Sequence, residues 1–479
     1  MPAIPPDATE TAAMVARGEV TPTELLDAAL AAVERLNPQL NAVVLMQEDV
    51  ARKAIAQGLP RGPFRGVPFL LKDLGAEARD FPSHMGSRLH ANTRFGRDSA
   101  LYDRMRATGV VTFGRTTAPE GGVGSATEAV VYGGPTRNPW NTDHTPGGSS
   151  GGSGAAVAAG IVPFAHGSDG GGSVRIPASN CGLFGLKPTR ARLPDGPYSG
   201  EGWAGMAIEG FLTWSVRDTA TMLDACHGAD LGAPYVAPAL AASHADAISR
   251  PPRRLRVMLC DTTFDGSPID PDVAKQVRDA ATLLETLGHH VEPGRPKADV
   301  AMMMRAWTDI VAVGTALSVR SKIGDRLPTP EETEGVARGA CRHAATLRPT
   351  RYLDAIGEIH AFGRQMAAVL DPDAGPGFDI ILSATLAEPP ARVGRFAHTT
   401  EDYVAYRTGP GGVFAYSPFC AVFNASGQPA ASLPLGMVNG LPVGIHLAAR
   451  FGDDETLLSL CAEIERAAPW AHRRPAVHA

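Results

Sequence analysis

The chain has 479 residues, 44% of them hydrophobic, and a formal net charge of −6. That is enough apolar mass for a large core. Acid and base are mixed along the chain, so no basic run points to nucleic acid and no acidic tail to a solvating arm. The six cysteines (Cys181, Cys226, Cys260, Cys341, Cys420 and Cys461) form no CxxC pair, which suits reduced thiols better than a disulfide frame.

The elements follow in chain order. Thr21-Pro22-Thr23-Glu24 predicts a capped helix start, and apolar spacing carries that helix to Leu36, where Asn37-Pro38 stops it. A strand is expected over 40–45. A buried strand is expected over 67–71, with Lys72-Asp73 at its end. A helix over 101–108 and a strand over 110–113 follow. Next come a helix of small residues over 153–159, a strand over 162–166, and a short helix or turn over 173–179 limited by Pro177. Helices are predicted over 216–226 and 271–287, and strands over 255–260 and 290–292.

Residues 298–370 read as mainly helical, a cap over the sheet. After a strand over 378–382, the Pro-, Gly- and Arg-rich stretch 384–412 reads as a long functional loop. Asn439-Gly440 marks a hairpin between 430–433 and 443–447, and a helix over 453–467 ends the pattern. No segment reads as a membrane helix of about 20 apolar residues. The opening MPAIPPDATETAAM lacks the blocks of a signal peptide. The expectation is a cytoplasmic α/β protein: one domain over 1–479, with a mixed sheet covered by helices.

Chemistry concentrates in residues 146–189, where two Gly/Ser clusters centre on Ser149 and Ser173. The second, Gly167-Ser168-Asp169-Gly170-Gly171-Gly172-Ser173, follows a strand and precedes a helical turn. Inward-turned N–H groups there suit an oxyanion, with Ser173 at the rim. A glycine-rich turn with an N-cap serine is the plain alternative. A phosphate cradle lacks its Gly-Lys-Ser/Thr. A serine nucleophile needs a base, yet His84, His144, His166 and His227 show no evident carboxylate partner. Lys72 stands out, since only six of the 44 basic residues are lysines. A lysine in a partly apolar site loses its proton more easily. Pairing with Asp73 is the alternative. Residues 147–151 match G-x-S-x-G, but a loop precedes them where a nucleophile elbow needs a strand.

Gly147-Gly148-Ser149-Ser150-Gly151-Gly152, then Asp169-Gly170-Gly171-Gly172-Ser173-Val174-Arg175-Ile176-Pro177, then Cys181-Gly182 through Gly185-Leu186-Lys187-Pro188-Thr189 together resemble the amidase signature family. Gly66-Val67-Pro68, Lys72-Asp73, Gln428-Pro429-Ala430 and 440–444 extend the resemblance over nearly the whole chain. It implies the amidase-signature α/β fold and a Ser–cisSer–Lys triad. Ser173 is then the nucleophile, Ser149 the bridging serine after a cis peptide bond, and Lys72 the base. The resemblance also implies an oxyanion hole from the amides of Gly170, Gly171, Gly172 and Ser173, with Ser150, Asp169 and Arg175 bracing the loops. Many members carry Thr or Ile where this chain has Gly170, which should loosen or widen the oxyanion loop.

No metal or organic cofactor is implied. The expected substrate is a small or synthetic amide (an anilide, an oligoamide, or a carbamate), as in the nylon-oligomer hydrolase branch that the chain resembles. No nucleic acid or membrane partner is expected, and the protein should be a monomer or homodimer. The rival within the family is a glutamine-using amidotransferase A subunit, but Arg175-Ile176-Pro177 and 206–210 depart from that branch. A non-catalytic binding module and an α/β-hydrolase esterase are further alternatives. Gly121, Gly122, Ser125, Met206, Met303 and Trp307 are the candidate substrate contacts.

Overall fold

The computed structural model describes residues 7–479. The first six residues of the opening segment lie outside the described ones. Eleven strands form one mixed sheet: β1 (Val43–Val44), β2 (Pro68–Lys72), β3 (Val111–Thr116), β4 (Phe164–Asp169), β5 (Phe184–Lys187), β6 (Ile208–Thr213), β7 (Arg256–Leu259), β8 (His290–Pro293), β9 (Ile380–Ala384), β10 (Ala430–Val438) and β11 (Leu441–Ala449). Their order is β1-β3-β2-β4-β6-β5-β10-β11-β9-β7-β8. Parallel pairs β2/β3, β2/β4, β7/β8 and β7/β9 flank an antiparallel centre.

Two apolar cores cover the two faces. On β2, Phe69 and Leu71 belong to one core and Leu70 to the other, the alternation a pleated strand dictates. With both faces covered, β2 is apolar up to its terminal Lys72 and wholly buried. The helix Gly151–Ala158 is also buried along its length, because its small residues let it approach the sheet closely. At the hairpin, Asn439 and Gly440 have φ of 50° and 78°, the left-handed pair of a type I′ turn.

Several expectations need correction. The helix starting at Pro22 has its capping box but runs to Leu40, past Pro38. Leu40 is fully buried, and the Asn37 side chain binds the N–H groups of Ala42 and Val43. Those contacts outweigh the hydrogen bond Pro38 cannot make. β1 shrinks to two residues. β5 and β6 were not predicted: Gly185 and Gly210 interrupt their apolar runs, and burial on both faces removes alternation. The stretch 384–412 contains a helix, Tyr403–Thr408, capped by Asp402. The cap region holds three helices, Val300–Ile323, Gly335–Thr346 and Arg351–Leu370.

The first of these is, among the described residues, long and apolar enough by composition to cross a membrane, with 24 residues and a mean hydropathy of 1.3. That corrects the reading that no such segment exists. In the fold this helix packs on Gly335–Thr346 and Arg351–Leu370, which accounts for much of its apolar character.

Candidate active site

β2 and β4 are parallel neighbours, with Leu70 opposite Ala165, so their C-terminal ends emerge at the same edge. Lys72 ends one and Ser168-Asp169 the other. After Asp169 the chain turns through three glycines to Ser173, and the helix Arg175–Cys181 begins. Ser149 precedes the helix Gly151–Ala158, and the Gly148–Ser149 peptide bond is cis. Ser150 ties the two clusters together. Its N–H donates to the Ser173 carbonyl at 3.1 Å, its hydroxyl donates to the Ser168 carbonyl, and it accepts from the Ser168 N–H, both at 3.2 Å.

Lys72 Nζ lies 2.7 Å from Ser149 Oγ and 2.8 Å from Ser168 Oγ. The side chain is fully buried, and burial holds its ammonium well below the usual lysine range, although the charges of Glu209 and Asp169 pull it back up. Lys72 does not pair with Asp73, which instead accepts from the His84 N–H and the Tyr132 hydroxyl. Ser173 is 8% exposed, and among the described residues its hydroxyl makes no hydrogen bond. With Ser149 and Ser168 it faces a cavity of about 580 Å³.

A second group braces the turn. The Asp169 carboxylate accepts from the N–H groups of Gly172 (2.7 Å) and Val174 (3.1 Å), from Arg175 Nε (3.0 Å) and Nη2 (2.9 Å), and from Asn424 Nδ2 (3.0 Å). Burial alone would raise this carboxyl, but Arg175 and Asn424 outweigh it and hold the group far below the usual carboxylate range. Arg175 also donates to Asn424 Oδ1 at 2.7 Å and meets His446 Nε2 at 3.1 Å. Gly172 has a φ of 122°, and a Cβ there would sit 2.5 Å from the Cβ of Cys420, so only glycine fits. Its N–H is engaged by Asp169, which removes Gly172 from the four expected oxyanion donors. The amides of Gly170, Gly171 and Ser173 donate to no protein group among the described residues.

Gly170 does not loosen the turn. A Cβ at that position would lie 2.5 Å from the Trp203 ring, so the missing side chain is replaced by an aromatic one packed against the backbone. Trp307 adds a second clamp, donating its indole N–H to the Gly170 carbonyl at 3.2 Å.

Sequence reasoning missed three neighbours. Ser168, inside the glycine cluster, contacts Lys72 directly. Glu209 lies opposite Ser168 in the β4/β6 register and meets His166 Nε2 at 2.8 Å, which corrects the reading that His166 has no carboxylate partner. The Lys72 backbone N–H donates to His166 Nδ1, so the ring proton sits on Nε2 and points at Glu209. Burial pushes His166 down to about 3, keeping it neutral. Burial also raises the Glu209 carboxyl, while Lys72 and Arg115 oppose that shift. Only strand register reveals these contacts.

Of the candidate substrate contacts, Gly121 and Gly122 line the large cavity. Gly122, Ser125 and Trp307 line a small adjoining chamber together with Ser173. Met206 and Met303 line neither: both are buried in the core, and Met303 faces inward from the cap helix. Among the described residues no group of three or more His, Cys, Asp or Glu is placed to hold a metal.

The family model for Amidase matches residues 24–458. The 6-aminohexanoate-cyclic-dimer hydrolase of Paenarthrobacter ureafaciens is 36% identical over 480 residues, covering 98% of this chain and 96% of the relative. A solved 6-aminohexanoate cyclic dimer hydrolase in complex with substrate superposes with a TM-score of 0.90 at 35% identity, covering 98% of both chains. A bacterial aryl acylamidase of the amidase signature family superposes at 0.85 with 29% identity, covering 97% of this chain and 96% of that one. By sequence and by fold, the chain belongs to the amidase signature family of amide-bond hydrolases.

Proposed function

We propose that this protein hydrolyses amide bonds of small molecules through a seryl acyl-enzyme formed on Ser173. The observation that carries this reading is the 2.7 Å contact between the buried Lys72 amine and Ser149 Oγ, beside an uncommitted Ser173 hydroxyl in the same cavity. Burial disfavours the ammonium, so Lys72 has a lone pair available near neutral pH. Lys72 takes a proton through Ser149 as Ser173 attacks the carbonyl carbon. The amides of Gly170, Gly171 and Ser173 receive the oxyanion, each such donor being worth roughly 3–4 kcal/mol in comparable sites. Ser149 returns the proton to the leaving nitrogen. Water then cleaves the ester, activated by the same relay.

The lining of the cavity supports the proposed substrate class. Apolar groups such as Leu74, Leu101, Trp203, Ile208 and Leu317 share its lining with the reacting serines, which suits aliphatic oligoamides and anilides. The relatives named for a 6-aminohexanoate cyclic dimer and for aryl acylamides support that class. A carbamate presents the same carbonyl to the same groups and belongs to the proposed range. The reading treats the chain as one domain that works in the cytoplasm as a monomer or homodimer. The six buried free thiols fit a reducing compartment.

The test is a hydrolysis panel of aliphatic, cyclic and aryl amides, carbamates and glutamine. The wild type should release amine from small amides. Ser173→Ala should lower kcat/KM at least about 10⁴-fold without changing the melting temperature. Cleavage of glutamine alone, or of nothing, would overturn the reading.

A further inference from the structure

Arg407, on the helix Tyr403–Thr408, is a buried cation with no counter-ion. It is 2% exposed, forms no salt bridge among the described residues, and its Nε is buried without a partner. Its guanidinium lies 4.6 Å from the Trp307 ring centre, 5.7 Å from Tyr403 and 5.9 Å from Tyr406. The neighbouring polar groups do not neutralise it. The Tyr403 hydroxyl donates to the Thr308 carbonyl and its oxygen faces Arg407 as a neutral acceptor, and His398 is kept neutral, with burial and Arg407 itself lowering it to about 4. Aromatic faces and the Tyr403 hydroxyl offset part of the lost hydration of this cation, but among the described residues no carboxylate pairs with it.

Arg407 lines a chamber of about 20 Å³ whose other walls include Ser173, Gly171, Gly124 and Trp307. Such a space admits one small polar group. The guanidinium, with no carboxylate partner, therefore shares a small chamber with the nucleophile.

We infer that Arg407 forms an anion subsite that takes the carboxylate of the substrate, a few bonds from the scissile carbonyl. The ligand class is a carboxylate-bearing amide: a half-amide of a short dicarboxylic acid, or an amide whose leaving amine carries the acid. A planar carboxylate matches the guanidinium fork, and phosphate or sulfate is too bulky for the chamber. The inference rests on the proposed amide hydrolysis and adds a charge requirement to it.

Two matched pairs test it: succinyl- against butyryl-4-nitroanilide, and N-butyryl-β-alanine against N-butyryl-propylamine. The wild type should favour the acid in at least one pair by about 10- to 100-fold in kcat/KM, the range of a charge-assisted hydrogen bond. Arg407→Met should bring that ratio close to one, and Arg407→Lys should retain part of it. Should Arg407→Met fail to fold, the wild type still decides. Butyrate should inhibit butyryl-4-nitroanilide cleavage competitively, and chloride at equal ionic strength should not. Equal rates within both pairs, or equal inhibition by chloride, overturn the subsite and leave the amidase reading standing. Cleavage of none of the four compounds overturns both.

Discussion

Two buried arginines border the Ser173 turn, and they differ in everything but depth. Arg175 is fully enclosed, and each of its guanidinium nitrogens is engaged, by Asp169, Asn424 or His446. Arg407 is almost as deep, has no carboxylate partner among the described residues, and leaves its Nε without an acceptor. The first belongs to a network that shapes the backbone, since the same Asp169 that holds Arg175 also gathers the N–H groups of Gly172 and Val174. The second adjoins open space. A buried charge satisfied by the fold is a structural device. One left unsatisfied beside a nucleophile is available to a ligand.

The strongest way to break this contrast is to remove each guanidinium. Arg175→Met strands the Asp169 carboxylate and should cost about 3–5 kcal/mol, measured by urea unfolding. Arg407→Met strands nothing, so its cost should stay below about 2 kcal/mol, the scale of a desolvated cation–π contact. Equal costs would erase the distinction.

Gly170→Ile probes the turn between them. Its Cβ would enter the space of the Trp203 ring, so a loss of about 1–3 kcal/mol is expected, as for overpacking. Loss of activity should accompany it, because the Gly170 amide moves with its side chain. An isoleucine accepted without loss would mean that Trp203 is not wedged there.

The smallest effect concerns pH. The proposed relay needs neutral Lys72, so the rate should rise with pH through its lowered pKa and fall below it. Burial raises the Glu209 carboxyl, but in its ionised form Glu209 favours the ammonium and raises the Lys72 pKa against burial. Glu209→Gln removes the charge, so the acid limb of kcat/KM should move to lower pH, by up to about one unit. A limb that stays in place or moves upward shows that Glu209 is uncharged or remote in the working enzyme.

Much of this was legible before any fold was known. The capping box at Thr21 and Glu24, the hairpin at Asn439-Gly440 and the apolar run ending in Lys72 are local signals, each set by backbone chemistry over a few residues. The glycine cluster announced Ser173 for the same reason. What stayed hidden was the company these residues keep. Glu209 is 36 residues beyond Ser173 and reaches the site only because β6 runs antiparallel to β4. Met206 and Met303 were candidate substrate contacts by sequence, yet both are buried in the core.

Sequence alone determined the family and most of the regular elements, and it pointed to the two serines and the lysine, because these depend on local pattern and on motifs contiguous in the chain. Tertiary structure decided three further things. Gly172 lost its place among the oxyanion donors when Asp169 took its N–H. Gly170 became a socket for Trp203. Arg407, one of many arginines in the sequence, came to line the Ser173 chamber with no carboxylate partner among the described residues. Each depends on which groups meet across the fold, where burial and distance, not residue type, set what a charge or an N–H can do.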